Sequence, residues 1–205
     1  MKRLSFVFAV IALVACCTAC GNRVGTNSAV SASNEASASA GTQNSPKQTQ
    51  EQNSGEYKAG TYKVGTDCPA GEYKLMASGN GYYCVYPDTA KEDILENSNF
   101  DKCEYITVTD GQCLLVKGAS FIAKDKAKPA SGTLSGQGKY LVGFDCPAGE
   151  YKLTASSSGM GYYCIYNDSA AGADIIQNNN FDGSDYCTVT DGQYLTLSRC
   201  TAEQS

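Results

Sequence analysis

The string DCPAGEYKL stands at residues 67–75 and again, letter for letter, at 145–153. It is the densest part of a longer match. TYKVGTDCPAGEYKL (61–75) meets KYLVGFDCPAGEYKL (139–153), and GYYCVY (81–86) meets GYYCIY (161–166). DILENSNFD (93–101) meets DIIQNNNFD (174–182), and YITVTDGQCL (105–114) meets YCTVTDGQYL (186–195). The chain is an internal duplication, so its fold must be one that roughly 60–65 residues can make twice.

Within each copy the signals are those of strands. Thr61–Val64 and Glu72–Leu75 alternate polar and apolar, with Tyr73 and Leu75 on one face. Residues 82–86 and 105–109 are aromatic or β-branched. Asp110-Gly111, followed by Leu114-Leu115-Val116, predicts a hairpin, because Gly accepts positive φ. Pro69 and Gly71 predict a turn. Residues 91–95 and 171–176 are the places where a helical turn is expected. The expected core of copy one is Tyr62, Val64, Tyr73, Leu75, Val85, Ile94, Phe100, Ile106, Val108, Leu114 and Val116. The expected fold class is all-β: two tandem small antiparallel β-sandwich or barrel-like domains, repeat 1 at 57–123 and repeat 2 at 139–201. A polar linker, 124–138, joins them.

A domain this small is marginal on burial alone. Of 11 cysteines, eight lie in the copies, four in each. In an exported chain that predicts disulfides. Cys68 and Cys84 have counterparts in Cys146 and Cys164, whereas Cys103 and Cys113 do not coincide with Cys187 and Cys200. Four cysteines allow three pairings per copy. The mismatch favours Cys68–Cys84 and Cys146–Cys164 as shared pairs, with Cys103–Cys113 and Cys187–Cys200 added separately. A loop the size of 68–84 closed this way stabilises by about 3 kcal/mol. A zinc site fits poorly with copies that differ at half the cysteine positions.

The N-terminus predicts location. Lys2 and Arg3 precede an apolar run from Leu4 to Val14, the form of a secretory signal over 1–15. Leu13-Val14-Ala15-Cys16 resembles the lipobox of bacterial lipoproteins. That resemblance implies cleavage before Cys16, with palmitate-type acyl chains on it; Cys20, after Ala19, is the alternative lipid attachment residue. Residues 16–56, rich in Ser, Ala, Asn and Gln, then read as a flexible tether spanning roughly 30–35 Å. Cleavage leaves 14 basic against 21 acidic side chains, a net charge of −7. An anionic membrane does not attract that charge, so the lipid must anchor the chain. The same charge argues against nucleic acid as a partner.

The repeat pattern itself, G-x-D-x-P-A-G-x-Y followed by G-Y-Y-x-[VI]-Y, N-x-x-F and V-x-x-G-Q, resembles repeats of bacterial surface lipoproteins. It covers about 61–116 and 139–197. Cys68 and Cys146 stand where an aliphatic residue is usual, and Cys113 replaces the Tyr kept as Tyr194. The resemblance implies location and a β fold, and carries no activity.

Chemistry is sparse. There is no His, which removes the commonest general base and metal ligand. No cofactor is expected. Asp67, Glu72 and Asp110, with Asp145, Glu150 and Asp191, are the carboxylates a hydrolase reading would use, but turn positions account for most of them. All 14 tyrosines lie between residues 57 and 194. Tyr82, Tyr83, Tyr162 and Tyr163 are the expected ligand contacts, since adjacent strand residues face opposite ways. The sequence therefore predicts a non-enzymatic, extracytoplasmic, surface-exposed lipoprotein anchored to the bacterial cell membrane. Its modules would bind a glycan, a peptide or an envelope protein; a passive envelope coat is the alternative, and a hydrolase the less favoured one.

Overall fold

The computed structural model describes residues 55–157 and 159–205. The signal segment, Cys16, Cys20 and the tether up to residue 54 lie outside the described residues. Copy one supplies β1 (Glu56–Tyr57), β2 (Gly60–Lys63), β3 (Gly71–Tyr86), β4 (Glu96–Phe100), β5 (Cys103–Val108) and β6 (Cys113–Ala123). A 3-10 turn at Lys124–Lys126 follows. Copy two supplies β7 (Leu134–Leu141), β8 (Gly149–Ala155), β9 (Gly161–Tyr166), β10 (Ile175–Phe181), β11 (Ser184–Val189) and β12 (Tyr194–Gln204). The described chain is all-β, with one six-stranded antiparallel sheet per copy.

Long strands join the parts of each sheet. In copy one β3 and β6 pair along most of their length, with a register shift between Ala77 and Tyr82. Before the shift, the other edge of β3 takes β5; beyond it, that edge takes β4. Gly118, φ 59°, lies within that shift, where a Cβ would sit 2.2 Å from the Asn80 carbonyl oxygen. Only glycine fits there. Copy two breaks the equivalent of β3 into β8 and β9, which opens room for Arg199 at φ 53° in the matching place. Its Nε donates to the Met160 carbonyl, 2.9 Å away.

The duplicated string is a turn-and-strand unit. Asp67 Oδ2 accepts the Lys63 N–H at 2.8 Å, and Asp145 Oδ2 accepts the Leu141 N–H at 3.0 Å. The Tyr73 hydroxyl donates to the Pro69 carbonyl at 2.7 Å, and Tyr151 to Pro147 at 2.8 Å. After the turn, Tyr and Leu point inward while Glu and Lys point out. The T-D-G-Q turn is likewise repeated, with Gly111 N–H bonded to Val64 and Gly192 N–H to Val142. It does not close the expected hairpin. β5 pairs with β3 rather than with β6, so Asp110-Gly111 carries the chain across the core from one part of the sheet to another.

The inner face of sheet one buries Tyr57, Tyr62, Tyr73, Leu75, Tyr83, Val85, Ile106, Leu114 and Phe121. One expected core residue is misplaced: Ile94 is 54% exposed. The helical turns are absent as well. Lys91 takes φ 60° and Gly172 φ 79°, both left-handed, and Ile175 opens a strand instead.

The eight cysteines of the described residues are buried free thiols, and the topology keeps every expected pair apart. Cys84 shares the outward face of β3 with Tyr82 and Tyr86, whereas Cys68 lies in the core beside Tyr62 and Tyr73. The Cys68–Cys84 bridge would have to cross the sheet, and Cys146–Cys164 fails for the same reason. Cys103 stands opposite Met76 and Cys113 opposite Tyr86, near the two ends of β3's paired run. Strand β8 separates Cys187 from Cys200, so two strand spacings of about 4.8 Å each exceed the roughly 7 Å Cα limit of a disulfide. The cysteines work as small apolar residues; Cys187 opposite Tyr151 occupies the place that Ile106 holds opposite Tyr73.

Candidate functional surface

The described residues fall in one compact unit, and the two copies meet across a buried polar seam. Copy one contributes the outward face of β3 and β5, where Lys74 sits opposite Tyr105 and Glu72 opposite Thr107. The Lys74 ammonium meets Asp145 Oδ1 at 2.5 Å, with side chains 1% and 0% exposed. It also donates to the Lys128 carbonyl at 2.9 Å and lies 5.4 Å from the ring centres of Tyr105 and Phe144. Asp145 additionally accepts the Tyr105 hydroxyl at 2.7 Å and the N–H groups of Ala130 and Leu141. Every lone pair of this buried carboxylate is directed at a donor, the condition under which a buried ion pair is tolerable.

Around that pair lie further bonds. Glu72 accepts the hydroxyls of Ser169 and Tyr194 and pairs with Lys124 at 2.6 Å. Thr107 bonds Ser169 through both hydroxyl and backbone. Tyr105, Leu141 and Tyr194 form a small apolar cluster backed by Phe144 and Tyr166. Lys139 reaches into copy one, 3.1 Å from Glu104 and 3.7 Å from Glu96. Burial opposes its charge, but the two carboxylates outweigh burial and raise its pKa. Thus Lys74 of the first DCPAGEYKL grips the Asp145 of the second.

Copy two carries the same face on β8 and β11, with Lys152 opposite Tyr186 and Glu150 opposite Thr188. There nothing among the described residues covers it. Lys152, Glu150 and Thr188 are exposed, and Tyr186 is 50% exposed where Tyr105 is 0%. Asp67, the counterpart of Asp145, is half-buried and among the described residues carries only its own turn bond.

Of the expected ligand contacts, Tyr83 and Tyr163 are each 1% exposed and hydrogen-bonded to Glu96 and Gln177, so both belong to the core. Tyr82 and Tyr162 point outward and are half-buried. At the far end of the same strand pairs, Ile94 and Leu95 in copy one, beside Val85, and Ile175 and Ile176 in copy two, beside Tyr166, are 44–54% exposed. The sequence reading missed this apolar pair because it counted Ile94 into the core. Of the carboxylates, Glu72 and Asp145 are committed to the seam. Asp67 and Asp110 line one hollow beside Gly65 and Pro69, both at turns. Burial pushes the Cys68 thiol up to about 11 and Cys103 and Cys187 up to about 12, the opposite of an activated nucleophile.

No protein-family model, no curated protein and no solved structure matches this chain.

Proposed function

We propose that this protein is a lipid-anchored, extracytoplasmic surface protein that presents a fused pair of β modules for non-catalytic binding. The lipobox at Cys16, the preceding signal and the polar tether support the location. With the cysteines accounted for as core residues, their number adds nothing to that argument. The single observation that carries the binding reading is the apolar pair held out in both copies, Ile94-Leu95 and Ile175-Ile176, at one end of the strand pairs whose other end presents Tyr82 or Tyr162. Two linked sites of one kind favour a repetitive ligand, such as a glycan or an extended envelope peptide, through avidity.

Palmitate-analogue labelling of the full chain tests the anchor: Cys16→Ser abolishes incorporation and Cys20→Ser leaves it. An array of glycans and envelope peptides probed with the full chain tests binding. Changing Ile94 and Tyr82 to Ser weakens the selected hit severalfold, and changing Ile175 and Tyr162 as well weakens it beyond the product of the single-copy losses. An array without hits favours the passive envelope role. Hydrolysis of an array component, lost on Asp67→Asn, identifies a hydrolase instead.

A further inference from the structure

We infer that the exposed face of copy two is a docking surface for copy one of a second molecule of this chain, so that the protein associates head to tail. The inference is independent of the lipid anchor and of any ligand. It rests on a contact the molecule already makes once. Glu72, Lys74, Tyr105 and Thr107 on copy one hold copy two through Asp145, Ser169 and Tyr194. Glu150, Lys152, Tyr186 and Thr188 repeat those four residue types, in the same cross-strand register, and are exposed among the described residues.

The complementary end is also present. Asp67 sits in the same turn as Asp145, and Asp88 bonds the Ala90 N–H as Asp168 bonds that of Ala170. That second turn places Thr89, an exposed hydroxyl residue, where Ser169 meets Glu72. The polar points therefore match, Lys152 facing Asp67 as opposite charges and the Thr89 hydroxyl facing Glu150 as a hydrogen-bond donor. The apolar ring is not repeated, since Lys63, Thr66 and Cys113 replace Leu141, Phe144 and Tyr194. The contact between molecules is accordingly more polar and more salt-sensitive than the internal seam. One face differs from the other, so association is heterologous and continues into chains or rings rather than stopping at a symmetric dimer.

Sedimentation velocity of the full chain in detergent, over a concentration series at low and high salt, tests this with two face variants. Lys152→Glu alters an exposed side chain, and Asp67→Asn keeps an oxygen to accept the Lys63 N–H, so both leave the fold intact. The wild type forms a concentration-dependent ladder of oligomers that salt weakens. Each variant alone self-associates at least about tenfold more weakly, the loss of one charge-assisted contact. Mixed together, the two variants restore dimers at wild-type affinity but nothing larger, because each molecule keeps one good face. A monomeric wild type at every concentration, an unchanged Lys152→Glu ladder, or a mixture that forms no dimers overturns the inference.

Discussion

Lys74 and Lys152 are the same residue of the same nine-residue string, on the same outward face of the same strand. One is 1% exposed and clamped to a carboxylate; the other stands in water. Asp145 and Asp67 show the reverse arrangement, with the second copy's carboxylate buried and the first's only half-buried. The copies are thus alike within their folds and unlike in what those folds touch. A tandem duplication has one internal junction and two free ends, and identical residues acquire different energies according to which they meet.

The largest expected effect lies at that junction. Asp145→Ala leaves Lys74 buried without its counter-ion and destabilises the protein by about 3–5 kcal/mol. Asp67→Ala loses one turn hydrogen bond, a cost of about 1 kcal/mol. Urea midpoints of the two variants check the ratio. Tyr105→Ala should also cost about 3–5 kcal/mol, as a fully buried aromatic removed, against less than about 0.5 kcal/mol for Tyr186→Ala at its exposed counterpart. Equal losses in either pair would mean that the copies fold without regard to each other.

Alkaline pH gives a smaller and broader effect. Burial raises Cys68, Cys103 and Cys187, and it raises Tyr62, Tyr73, Tyr83, Tyr105, Tyr140 and Tyr194 above the ordinary value. The folded protein keeps these protons while the unfolded chain releases its thiol protons near pH 9 and its phenol protons near pH 10. The folded state binds more protons in that range, so stability is full below about pH 9 and falls as pH rises through it. Urea midpoints from pH 7 to 11 should decline steadily beyond 9. Tyr105→Phe should shallow the decline, because the seam phenol no longer contributes. The smallest effect belongs to the exposed face: Lys152→Met should change stability by less than about 0.5 kcal/mol.

The duplicated strings located the strands, and the alternation of Tyr73 with Lys74 and of Tyr105 with Ile106 placed inward and outward residues. Those are local properties. The partner of β5 was not local: Asp110-Gly111 has the composition of a hairpin, and only the pairing of Tyr73 with Ile106 shows the chain crossing the core. The cysteines misled for a related reason. Cys84 lies on the outer face of its sheet and Cys68 on the inner, a distinction that spacing along the chain does not encode across an intervening turn. The seam was hidden because Lys74 and Lys152 are one letter in one string; nothing local marks which of them is covered.

The central claim is that the copies form one cooperative body held by Lys74 and Asp145. Hydrogen exchange read by mass spectrometry on the full chain, comparing Lys74→Met with Lys152→Met, tests it directly. At a dilution and salt concentration that keep the chain monomeric, the account predicts that Lys74→Met lowers protection by a common amount in the core strands of both copies, from Leu75 to Leu195, while Lys152→Met leaves the pattern as it was. Protection lost only beside residue 74, with the core strands of the second copy unchanged, would contradict it.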